Sequence, residues 1–188
     1  MSRSHKTKSI YDKSPSAKSK SEVSLSLFSL LFSEMIEYIS SLESDKDLDE
    51  KLQELGSPIG KRILEYTAFH HKHKRDLKIV NMLQFIHNNV WKTLFAKNAE
   101  ALEKSVDDPT EYRIYDYAPI TNRFLSTKHE ALNASGFVAG IIAGVLNSAG
   151  FYANVASFLL EEEGVTQASN SKVIYVIKFT KAVVEREL

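Results

Sequence analysis

Glu22-Val-Ser-Leu-Ser-Leu-Phe-Ser-Leu-Leu-Phe-Ser-Glu-Met-Ile-Glu-Tyr38 is the stretch that decides the fold. Wound as a helix, it gathers Leu25, Leu27, Phe28, Leu31, Phe32, Met35, Ile36, Tyr38, Ile39 and Leu42 into one apolar arc. Ser26, Ser29, Ser33, Glu37 and Ser40 fill the opposite side. The arc covers roughly half the circumference, against the ~100° stripe of an ordinary surface helix. One neighbouring layer does not easily cover so wide a face. The helix is therefore expected to pack on its own domain along one flank and on another subunit along the other. The competing expectation is a central core helix of a monomer.

Outward from this helix, Ser44 can cap a shorter one with Leu48, Leu52 and Leu55 on one side, and Gly56 is expected to break or bend it. Ser57-Pro58 then offers a fresh start, since proline is tolerated in a first helical turn. The renewed helix carries Ile59, Ile63, Leu64 and Phe69. Another begins near Asp76 and aligns Ile79, Leu83, Ile86, Val90 and Leu94, with Trp91 and Phe95 widening its face. After Asp107-Asp-Pro109 the pattern changes. Glu111 to Tyr117 alternates and is rich in aromatics, which favours a strand. Pro119 and Asn122 mark a turn before a second strand over residues 123–126. Residues 151–159 and 172–179 are two further strands, joined by an exposed loop over 161–171. The expected architecture is α+β, a helical layer packed on a small antiparallel four-stranded sheet.

Leu132-Asn-Ala-Ser-Gly-Phe-Val-Ala-Gly-Ile-Ile-Ala-Gly-Val-Leu146 reads as a helix ended by Gly150. Gly136, Gly140 and Gly144 stack on one of its faces. Each costs a helix ~1 kcal/mol relative to alanine. Three together imply a compensating close approach, between helix and sheet or around a slender buried ligand. The run is too short to cross a membrane as a helix, which needs about 20 apolar residues.

With the opening helix and Ser148-Ala-Gly-Phe151, this segment resembles the small-subunit family of the TRAPP vesicle-tethering complex. Leu55-Gly-Ser-Pro-Ile-Gly60-Lys-Arg62, Val90-Trp-Lys-Thr-Leu-Phe95 and Asp108-Pro-Thr-Glu-Tyr112 extend the likeness, which is greatest to the subunit 5 class, counterpart of the yeast 31-kDa subunit. It spans about Glu22 to Arg186, a single domain over 22–188 with residues 1–21 outside it. In this family the two pieces around Gly56 often form one long element. The resemblance implies a non-catalytic structural subunit of an assembly that acts as a Rab guanine-nucleotide exchange factor in endoplasmic reticulum to Golgi transport. It implies pairing through the helical face with a homologous small subunit of the acyl-binding type, and contact elsewhere with a sedlin-like longin-fold subunit. Leu27, Phe28, Leu31, Met35 and Tyr38, with Arg62 on the adjoining helix, are the pairing residues expected on that basis. The acyl-binding relative attaches a fatty acid to its own cysteine, and this chain has none. At the comparable turn it carries Phe69-His-His-Lys-His-Lys-Arg75 instead, so that activity is not carried over. The alternative is a small-molecule or lipid-binding regulatory domain, whose mark would be an apolar cavity lined by residues such as Trp91 and Phe137.

Composition narrows the remaining classes. The 188 residues balance 24 basic against 24 acidic side chains, which argues against nucleic acid as the main partner. Zero cysteines exclude disulfides, thiol chemistry and thioester lipid attachment. With no apolar h-region at the start, the expected setting is cytoplasmic, peripherally associated with cis-Golgi and endoplasmic reticulum membranes by the family resemblance. Residues 1–21 set Arg3, Lys6, Lys8, Lys13, Lys18 and Lys20 against Asp12 and hold little that is apolar, so this tail is expected to be disordered. A weak tether to anionic lipid is its sharper reading, and phosphorylation of Ser14, Ser16 or Ser19 would weaken it.

No catalytic or cofactor site emerges. His70, His71 and His73 are crowded by Lys72, Lys74 and Arg75, which oppose a divalent cation, and no metal site is expected. Gly56-Ser-Pro-Ile-Gly-Lys61-Arg62 is one residue short of a phosphate loop, and Arg62 stands where the magnesium-binding hydroxyl would be. Asp107 and Asp108 sit beside Pro109 at a turn, where a solvated role is ordinary.

Overall fold

A computed structural model describes residues 23–42, 48–123, 133–160 and 172–186. The chain runs through α1 (Leu25–Leu42), α2 (Leu48–His71), α3 (Ile79–Phe85), a π-helical segment (Ile86–Val90), α4 (Trp91–Phe95), β1 (Ala101–Lys104), β2 (Glu111–Asp116), α5 (Gly136–Ser148), β3 (Ala153–Leu160), β4 (Lys172–Phe179) and α6 (Lys181–Glu185). The sheet has four antiparallel strands in the order β1-β2-β4-β3. The expected α+β class is what the chain adopts. The basic tail, the Ser44 cap and the 161–171 loop lie outside the described residues, as does the expected second strand beyond Arg123, itself in a turn.

The two central strands show why their sequences take that form. In β2, Tyr112, Ile114 and Asp116 point into the core while Glu111, Arg113 and Tyr115 alternate outward. β4 does the same with Val173, Tyr175, Ile177 and Phe179. Asp116 is a carboxylate on the inner face, and the Lys97 ammonium reaches it at 2.6 Å. Burial alone would lower the Lys97 pKa, but hydrogen bonds to Asp116 and Glu100 raise it overall. β1 was not foreseen: it pairs Ala101 with Tyr115 and Lys104 with Tyr112 at the sheet edge.

Of the two readings at Gly56, an interruption or one long element, α2 takes the second. It is one continuous helix with Pro58 inside it, on the exposed side where water can satisfy the carbonyl left without a donor. Gly56 and Gly60 are there for contact. A Cβ on Gly56 would collide with the Phe137 carbonyl, and one on Gly60 with the Ile141 carbonyl. In return, a Cβ on Gly140 would strike the Gln53 carbonyl and one on Gly144 the Ser57 carbonyl. The close approach expected of the glycine helix is thus made with α2, helix on helix, and not with the sheet or a ligand. α5 ends as foreseen: Gly150 takes φ +83, its N–H donates to the Asn147 carbonyl, and Phe151 N–H donates to Leu146.

Two cores result. The larger joins α3, α4 and α5 to the sheet around Trp91, Ile114, Leu146, Tyr175 and Ile177. The smaller holds Phe32, Ile36 and Ile39 of α1 against Leu48 and Leu52 of α2 and Ala134. The helix expected from Asp76 begins at Ile79, and its π-helical segment lets Ile86, Val90 and Trp91 all face the larger core.

Candidate subunit interface

The inner flank of α1 buries Phe32, Ile36 and Ile39, with Phe28 and Met35 half-buried against the same small core. Phe28 stacks on Phe32 at 5.5 Å between ring centroids, and Phe32 meets Phe137 edge-on at 5.4 Å. The outer flank of α1 covers nothing among the described residues. Leu27, Leu30, Leu31 and Tyr38 are 61%, 67%, 69% and 66% exposed. Among the pairing residues expected from sequence, Leu27, Leu31, Tyr38 and Arg62 lie on the surface. Phe28 and Met35 lie at the seam between surface and core.

α2 adds a second row that the sequence reading did not assemble. Leu55, Ile59, Arg62, Tyr66 and Phe69 are all exposed. Their spacing of four, three, four and three places them on one helical stripe. That spacing was the available signal, and it was obscured by the expectation of a break at Gly56. Leu30 falls about 60° beyond Leu27 on the helical wheel, outside the apolar arc and beside Glu37, so periodicity alone gives it to the polar side. Two helices thus present leucine, isoleucine and aromatic side chains to solvent in rows. Exposed apolar rows of this kind are candidate interaction surfaces.

Elsewhere the chemistry is structural. His73 Nε2 lies 2.6 Å from Asp76 Oδ2, and its ring stacks on Phe85 at 4.2 Å. Asp76, expected at the start of a helix, lies in the turn before α3 and so reaches His73. Among the described residues no three metal-ligating side chains gather. Asp107 is exposed, but Asp108 is not merely solvated. Its Oδ1 accepts from the Thr110 hydroxyl and N–H at 2.6 and 2.9 Å, and Lys178 Nζ lies 2.9 Å from Oδ2. The Thr110 hydroxyl first, then Lys178, hold its carboxyl well below the usual range.

Two depressions of about 350 and 560 Å³ lie open on the surface beside the α2–α3 turn. Trp91 and Phe137 line neither. Trp91 is buried between Phe95 and Tyr175, at 5.3 and 5.5 Å between centroids.

A long glycine-locked helix pair on a four-stranded antiparallel sheet, with a bare apolar face, can be compared with known proteins. Residues 28–180 match the model of the transport protein particle (TRAPP) component family. The chain belongs to the TRAPP component family. It is 42% identical over 176 residues to trafficking protein particle complex subunit 5 of Dictyostelium discoideum, covering 92% of this chain and 93% of that one. The human subunit 5 is 35% identical over 175 residues, with 91% and 88% covered. Subunit 31 of Saccharomyces cerevisiae is 37% identical over 114 residues, 61% of this chain and 38% of that protein. The resemblance to the subunit 5 class therefore holds, and these relatives are named as subunits of a complex. In fold, the chain is similar to a crystal structure of trafficking protein particle complex subunit 3 from Naegleria fowleri covalently bound to palmitic acid. The TM-score is 0.67 at 15% identity, with 84% of this chain and 95% of that one covered.

Proposed function

We propose that this TRAPP-family chain is a non-catalytic structural subunit of the vesicle-tethering, Rab guanine-nucleotide exchange assembly of endoplasmic reticulum to Golgi transport. It pairs through the outer faces of α1 and α2 with a homologous small subunit of the acyl-binding type. A sedlin-like longin-fold subunit occupies another surface, and the Rab GTPase is engaged by the whole assembly. The chain works at the cytoplasmic side of cis-Golgi and endoplasmic reticulum membranes. The observations that carry this reading are the bare apolar flank of Leu27, Leu31 and Tyr38 on α1 and the exposed stripe from Leu55 to Phe69 on α2. A side chain such as Leu31, 69% exposed, contributes little to a lone fold but would be enclosed by a partner. Leu31→Glu is expected to abolish copurification of the homologous subunit while leaving the melting temperature of the isolated chain unchanged. Normal assembly of that variant would overturn the placement of the interface.

The alternative, a small-molecule-binding regulatory domain, finds less support. The side chains that would line its cavity are Trp91, sealed inside the larger core, and Phe137, packed on Phe32.

A further inference from the structure

Phe69-His-His-Lys-His-Lys-Arg-Asp-Leu-Lys78 forms the turn between α2 and α3, and the pairing face ends where it begins. His70, His71, Lys72, Lys74, Arg75 and Lys78 are all exposed. The segment's one acid, Asp76, is occupied by His73 at 2.6 Å. Glu65 lines the larger depression together with Lys74 and Arg75. The chain as a whole carries no net charge, so this positive field is local.

We propose that the α2–α3 turn is a docking surface for an anionic phospholipid membrane. Cations near a helix C-terminus are ordinary, because they offset the macrodipole. Here they extend past the helix to Lys78, and the geometry at Lys72 shows a cost being borne. Lys72 adopts φ 50, the left-handed position that closes α2, with its N–H donating to Phe69 and that of His73 donating to Ala68. Glycine is the residue that favours such a position, and a lysine there retains charge at the expense of strain. Beside the cations, Leu77 and Val80 are 74% and 45% exposed. A polynucleotide or an acidic peptide would satisfy the charges and leave these side chains bare. A lipid surface offers phosphate and carboxylate headgroups above an apolar boundary, and so matches both. The proposal does not rest on the pairing reading, because Lys72, Lys74, Arg75, Leu77, Lys78 and Val80 lie outside the α1–α2 face.

The test is cosedimentation of the full-length chain with phosphatidylcholine vesicles, with and without about a third of phosphatidylserine. The wild type is expected to bind only the anionic vesicles, and less as salt rises. The triple variant Lys72→Glu, Lys74→Glu, Arg75→Glu is expected to lose vesicle affinity by about tenfold or more. Leu77→Ser should lose several-fold with the salt dependence kept. Thermal melts of both variants guard against misfolding, and Lys72→Gly, which relieves strain while removing one charge, should bind more weakly though it melts higher. Equal binding to neutral vesicles would assign the effect to the bare leucines of α1 and overturn the proposal. Undiminished binding by the triple variant would assign it to the basic tail and do the same. Tighter binding to a single-stranded oligonucleotide than to anionic vesicles would also overturn it, in favour of a nucleic-acid surface.

Discussion

Tyr175 shows how little the sequence says about polar atoms in a core. Its ring is wholly buried on β4, yet its hydroxyl has no well-formed hydrogen bond among the described residues. Burial first, and then the charge of Asp116, raise its pKa far above the ordinary tyrosine value. A buried hydroxyl without a partner costs about 1–3 kcal/mol. Tyr175→Phe should therefore be neutral or stabilising by up to about 1 kcal/mol in a denaturant titration. Asp108 is the opposite case, with both carboxylate oxygens engaged. Because its folded-state pKa is depressed, the stability it confers is complete above the ordinary aspartate value of 3.8 and is lost as pH falls below it. Asp108→Asn should melt below the wild type at neutral pH, and the gap should close as the pH is lowered through 4, as followed by circular dichroism. Neither role was legible in sequence: Asp-Asp-Pro marks a turn, but only the return of β4 brings Lys178 to it.

Helices α2 and α5 lock by a reciprocal insertion of backbone into backbone. Gly60→Ala would drive a methyl into the Ile141 carbonyl, an atom that neither helix can move without shifting the whole pair. The expected loss is about 3 kcal/mol, read as a lowered denaturation midpoint with unchanged slope. Gly150→Ala provides the comparison, since its Cβ would meet nothing and the cost is only that of φ +83, about 1 kcal/mol. Sequence periodicity located α1, α5, β2 and β4 because each has one strong pattern. It left Gly56 open because a glycine that ends a helix and one that admits a neighbour look alike until the neighbour is known. It missed β1 because Ala-Leu-Glu-Lys has no strand preference of its own, and pairing with Tyr112 to Tyr115 makes it one. The stripe Leu55, Ile59, Arg62, Tyr66 and Phe69 was readable only once α2 was continuous. Outward and inward halves of the α1 arc could not be separated without knowing which flank meets Leu52.

At the scale of the molecule, the two cores divide the chain into unequal parts. The sheet, α3, α4 and α5 share one interior, whereas α1 rests on a handful of side chains from α2 and Ala134. Regions with few buried contacts open at lower free energy than the rest. Amide exchange in α1 of the isolated chain should therefore outpace that of β4 by orders of magnitude, and slow sharply when the homologous subunit is added. Equal protection of α1 and β4 in the isolated chain would show that the smaller core is sufficient alone. An orphan copy, made in excess of its partners, thus displays a loosened helix and a row of bare leucines. Those are the features by which chaperones and proteases sort marginal chains from finished ones. On the proposed reading, the surface that joins the subunit to its assembly also sets how long the chain survives outside it.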